Sequence, residues 1–170
     1  MNGKDLSDLV QGRCVMTCRE FLKEELPDLA IQHPARYISY MIEDELRDRA
    51  CDGLKVREDG ALPQCVRLLD ADGEASLIVV GINLTRERTE QALDLLRSSK
   101  AKERLFLYLF TFESQTDEEL ISQAIMEPEL LRMVRDTGIL AYFAMLDARA
   151  GMGMLARIDG DMRSIQYLPH

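Results

Sequence analysis

The chain of 170 residues carries 30 acidic against 21 basic side chains, a net charge of −9. A hydrophobic fraction of 46% with 30% charged residues describes a chain that buries one core, which excludes a disordered class. The acidic surplus argues against a general nucleic-acid binder, whose affinity comes mostly from neutralising phosphates, and no apolar run approaches the ~18 residues of a membrane span.

The opening residues MNGKDLSDLVQGRCVM place acids early and hold no continuous apolar segment, so no signal peptide and a cytoplasmic location are expected. A first helix is predicted over 7–26, with Ser7 as cap and Val10, Cys14, Cys18, Phe21 and Leu22 at helical spacing. Leu26-Pro27 ends it, because the residue before proline avoids the helical region. A second helix starts at Pro34 and turns Tyr37, Ile38, Met41, Ile42, Leu46 and Ala50 to one face. Cys51-Asp52-Gly53 stops it, with Gly53 as the expected left-handed residue.

The period then shortens to two. Runs at 54–58, 64–70 and 75–83, punctuated by Asp59-Gly60 and Asp72-Gly73, predict a three-stranded antiparallel meander. The third run contains LIVVGI, apolar on both faces, which places it inside the sheet. Thr85 caps a helix whose inward positions are Ala92, Leu93, Leu95 and Leu96, and 104–112 is a second strand apolar on both faces. Strand, helix and strand make a right-handed βαβ unit with parallel strands. Thr116-Asp117-Glu118-Glu119 is a capping box opening a helix through about Met126. After Pro128, Leu130, Leu131, Met133 and Val134 continue the apolar face to Asp136, and Gly138 closes it. The segments 139–147 and 154–168 form a C-terminal β-hairpin, the second with its own turn at Asp159-Gly160. The expected fold is a single α/β domain over residues 1–170, α+β being the alternative, with one mixed sheet flanked by helices.

Little in this order points to catalysis. The cysteines, Cys14, Cys18, Cys51 and Cys65, contain no CxxC pair, and only His33 and His170 could join them. Neither a zinc site nor a disulfide framework is expected, nor a cofactor. Glu24/Glu25, Glu43/Glu45 and Glu118/Glu119 lie on helix surfaces at spacings that do not converge. Ser76, Ser98 and Ser99 lack a nucleophile elbow, and no phosphate-binding glycine loop is present. The junction Gly81-Ile82-Asn83-Leu84-Thr85-Arg86-Glu87-Arg88 stands out instead. Arg86 and Arg88 sit in a first helical turn, where cations oppose the helix dipole unless an anion joins them. Asn83, Thr85, Arg86 and Arg88 are therefore the candidate anion-binding residues. On the alternative reading, Glu87, Glu90 or Asp94 neutralises the arginines on a solvated face.

The order helix, meander, helix, parallel strand over 34–112 resembles the core of the restriction-endonuclease-like PD-(D/E)xK nucleases. That resemblance implies an acid on the second strand, where Asp70 stands, and an acid-x-lysine triplet on the third. The triplet position reads Gly81-Ile82-Asn83 and carries neither group, so the metal-dependent chemistry of that family is not expected.

Met126, Met133, Met145, Met152, Met154 and Met162 enrich the C-terminal third, and methionine adapts to binding surfaces. The run 140–146 is apolar enough that an unpaired edge there would promote association. These features point to a non-enzymatic binding or regulatory protein acting through protein–protein interaction, with homodimerisation as one form of it. A degenerate nuclease-like nucleic-acid protein and a phosphate sensor are the alternatives.

Overall fold

Asn2 caps the first helix, α1 (Gly3–Leu22), its side chain accepting the amide of Asp5 at 2.9 Å. The helix begins ahead of Ser7, whose hydroxyl instead accepts a hydrogen bond from Gln11. It also stops before Pro27. Glu24 adopts left-handed backbone (φ 56), and its amide and that of Glu25 close on the carbonyls of Phe21 and Glu20 at 3.0 and 2.8 Å. Pro27 caps a short α2 (Asp28–Gln32) that hydrophobic periodicity did not reveal. α3 (Pro34–Asp48) starts where expected, but Ala50 (φ 52), not Gly53, takes the left-handed position. The helix ends at Asp48, so that position falls two residues on, and the Ala50 and Cys51 amides bond Arg47 and Leu46 at 3.0 Å.

The computed structural model describes residues 1–112, 132, 134, 135, 138–147, 151–160 and 162–169. The predicted helix at 116–126 lies outside them. Arg132, Val134 and Arg135 are helical, and Val134 is fully buried.

The remaining elements are β1 (Lys55–Asp59), β2 (Cys65–Asp70), β3 (Gly73–Ile82), α4 (Arg86–Ser98), β4 (Glu103–Phe112), β5 (Leu140–Asp147), β6 (Met152–Asp159) and β7 (Met162–Pro169). They form one mixed sheet of seven strands in the order β1-β2-β3-β4-β5-β6-β7. β3, β4 and β5 run parallel, and every other pairing is antiparallel. The fold is thus the α/β class with a single mixed sheet flanked by helices. The β2–β3 turn sits one residue earlier than Asp72-Gly73: Asp70 pairs with Gly73, leaving Ala71 and Asp72 at the tip. β5, β6 and β7 form a three-stranded meander, with the second turn at Asp159-Gly160 (Gly160 φ 58) as expected.

Alternation sorts the strand side chains into two cores. Val66, Leu68, Ile78, Val80, Leu105, Leu107, Leu109 and Tyr142 face α1 and α3. Leu77, Val79, Phe106, Tyr108, Phe110, Phe143 and Met145 face α4 and Val134. Phe106 and Phe143 meet edge to face with ring centres 6.0 Å apart. β5 is buried along its length between β4 and β6, so the apolar run 140–146 is interior and not an edge. No helix among the described residues is long and apolar enough to cross a membrane.

Candidate functional site

At the β3–α4 junction, backbone geometry decides what each side chain does. The absence of a side chain at Gly81 makes room for its neighbour: a Cβ there would lie 2.2 Å from Leu84 Cδ1, so Leu84 would have to shift. Leu84 folds back over the end of β3, and its carbonyl accepts a 2.8 Å hydrogen bond from the Tyr108 hydroxyl. Burial pushes that phenol well above the ordinary tyrosine range, so it stays a donor.

Asn83 takes left-handed backbone (φ 49), a conformation asparagine tolerates better than most residues. Its amide donates to the Leu109 carbonyl and its Oδ1 accepts the Thr111 amide, both at 2.9 Å. The side chain therefore continues the β3–β4 ladder past the last residue of β3. Thr85 is the N-cap of α4, its Oγ1 accepting the Arg88 amide at 3.3 Å and its carbonyl the Thr89 hydroxyl at 3.0 Å. Arg86 pairs with Glu90 at 3.2 Å one turn on, in line with the neutralised-face reading. Arg88 is exposed. The four candidates are neighbours on one exposed turn, and the side-chain oxygens of Asn83 and Thr85 are committed within the protein.

Asp70 does not join them. Because β2 and β3 are antiparallel, the end of β2 meets the start of β3, and about 30 Å of strand separates Asp70 from Asn83. Opposite Val79 and Val80, toward the end of β3, stand Cys65 of β2 and the preceding Gln64, neither an acid. Asp70 accepts the Asp72 amide at 2.8 Å and pairs with Lys102 at 3.4 Å; the first bond, more than the second, holds its carboxyl below the usual range. The strand order also matters. Ligand crevices form at the carboxyl ends of parallel strands where the order reverses direction, and here it never reverses.

Several polar residues unmarked by any motif are organised more tightly. Arg13 is 4% exposed in the seam between α1 and α3. Its guanidinium meets both carboxylate oxygens of Glu20 at 3.0 Å and lies over the Tyr37 ring, while the Tyr37 hydroxyl donates to Glu20 at 2.8 Å. On the same layer, Arg157 donates to the Tyr142 hydroxyl at 3.3 Å, which donates to Gln11 at 3.4 Å. The visible signal was a charge on an apolar helical face, Arg13 falling between Val10 and Thr17. Among the described residues no three His, Cys, Asp or Glu side chains gather as metal ligands. Met145 belongs to the core, Met154 packs against it, and Met152 is exposed; Met126 and Met133 lie outside the described residues.

No family model and no curated protein matches the chain. Among solved structures it is similar to the crystal structure of the central domain of yeast acetyl-CoA carboxylase, at 8% identity and a TM-score of 0.34. The match covers 68% of this chain and 22% of the other, so the chain spans about a fifth of that structure's length.

Proposed function

We propose that this chain is a non-enzymatic, cytoplasmic binding protein that recognises an extended segment of a partner protein by adding it to the sheet beside β7. The observation that carries this reading is the contrast between the two sheet edges. β1 is guarded by Lys55, Arg57, Glu58 and Asp59, the charge pattern that discourages edge pairing. β7 is eight residues long, and no strand pairs with its outer side among the described residues. Ser164, Ile165 and Gln166 are all exposed although successive strand residues point to opposite faces, so neither layer of helices covers the middle of β7. An added strand would satisfy the edge amides and carbonyls, and Ile165, 45% exposed, would supply apolar contact. A basic partner complements the net charge of −9.

The test compares the wild type with Ile165→Lys and with an Arg86→Glu/Arg88→Glu double variant, by affinity capture followed by light scattering. The expected result is a defined partner, or a second copy of the chain, that the Ile165 variant loses and the arginine variant keeps. A wild type that stays monomeric and captures nothing, or a partner retained by Ile165→Lys, overturns the reading. Capture of nucleic acid that only the arginine variant loses favours the phosphate-facing alternative.

A further inference from the structure

β7 reads MRSIQYLP, with one base, Arg163, and no acid. The acids behind the net charge of −9 lie outside this strand, so a basic segment laid along it would meet a cation and no carboxylate. The backbone shows which groups of β7 face outward. Asp159 pairs with Met162 across a two-residue turn in which Gly160 has φ 58. A turn of that length closes on a hydrogen-bonded pair, and the side to which amide and carbonyl point alternates along the strand. Met162, Ser164, Gln166 and Leu168 therefore turn their backbone groups toward β6, while Arg163, Ile165 and Tyr167 turn theirs outward. Pro169, at the end of the strand, shares the outward parity and has no amide to donate.

We propose, resting on the edge-addition reading above, that the segment added beside β7 is β7 of a second copy. The two strands run antiparallel about a two-fold axis at Ile165. Of the registers two copies can share, only this one pairs the outward groups of Arg163, Ile165 and Tyr167 in both chains. Shifted toward the turn, Tyr167 runs past the start of the second strand; shifted the other way, Arg163 meets Pro169. In the Ile165 register that residue meets its own copy on the axis, Ser164 meets Gln166, and Arg163 meets Tyr167. No like charges are opposed, and the 45% exposed Ile165 is covered. The contact closes at two copies, whereas β7 against β1 of the next copy would be open-ended and would meet the charges of β1. Two copies at −9 each repel at long range, so salt strengthens this contact, while it weakens the hold on a basic partner.

Sedimentation velocity of the full chain tests this from about 5 to 500 µM, a range suited to a small interface. The expected result is a monomer–dimer equilibrium that tightens severalfold between about 0.02 and 0.3 M salt. Ile165→Lys and Ile165→Glu each weaken it about tenfold or more, because like charges then face each other across the axis. Mixed in equal amounts, the two variants form a dimer again, which also shows that both are folded. A wild type that stays monomeric throughout overturns the proposal. If that monomer still captures a basic partner that Ile165→Lys loses, the edge-addition reading survives; if it captures nothing, both fall. A dimer kept by both variants, a dimer that loosens in salt, or variants that stay apart when mixed overturns the two-fold pairing.

Discussion

Glu24 and Ala50 hold left-handed backbone at φ 56 and 52 without glycine's freedom, and both close the hydrogen bonds that end a helix. For a residue with a Cβ that conformation costs about 1–2 kcal/mol, part of which glycine returns as extra entropy in the unfolded chain. Ala50→Gly is therefore expected to stabilise the fold by about 1 kcal/mol, read as a higher urea midpoint at unchanged m-value; a lower midpoint contradicts the strain. Nothing local marks Ala50 for this role, which is why Gly53, with its more permissive backbone, looked the better stop. Asn83 was legible as a special residue, but its type alone does not say whether the amide faces a ligand or, as here, the Thr111 amide. Asp70 adds a pH dependence. Its folded pKa is lowered, chiefly by the Asp72 amide and further by Lys102, so its contribution is present above the unfolded carboxyl value and is lost as pH falls through the folded one. Asp70→Asn is expected to unfold at lower urea than the wild type at about pH 7 and to match it by about pH 2. A gap that persists in acid assigns the effect to packing instead.

The α1–α3 seam shows what an amphipathic pattern conveys and what it hides. Val10, Cys14, Cys18 and Phe21 on one helix and Ile38, Ile42 and Leu46 on the other are buried as their spacing requires. Arg13 occupies the same stripe, and a charge on an apolar face reads as solvated until the second helix is placed. Only the packing of α3 brings Tyr37 to Glu20 and completes the pair. Arg13→Met keeps most of the volume but leaves Glu20 without its cation, at an expected cost of about 2–3 kcal/mol. Glu20→Gln added to it should cost less than the two single changes summed, because both remove one interaction. Additive losses in chemical denaturation contradict the coupling. The crossover of β3, α4 and β4 was legible for the complementary reason: strands apolar on both faces need cover on both sides, and a parallel partner requires a helical return.

For the molecule as a whole, the mixed sheet could be read from its apolar strands, but its edges could not. Edge or centre depends on which neighbours pair, and β5, the more apolar run, turned out to be interior while the more polar β7 lies outside. Because Ile165 is 45% exposed, Ile165→Lys is expected to leave stability within about 0.5 kcal/mol, as surface changes usually do, so lost binding in that variant would not reflect unfolding. Circular dichroism melts of the two proteins check this. The uninterrupted strand order has one more consequence, for synthesis. Each strand pairs with the one made just before it, so the sheet can grow in chain order, readily at the antiparallel turns and more slowly at the two parallel pairings, which join segments separated by a whole crossover. α1 is the exception. It packs on α3, which follows it closely in sequence, and across a long stretch of chain on β4, β5 and β6. The α1–α3 seam can thus close before β5 is made, and the sheet completes the burial of a helix pair already joined.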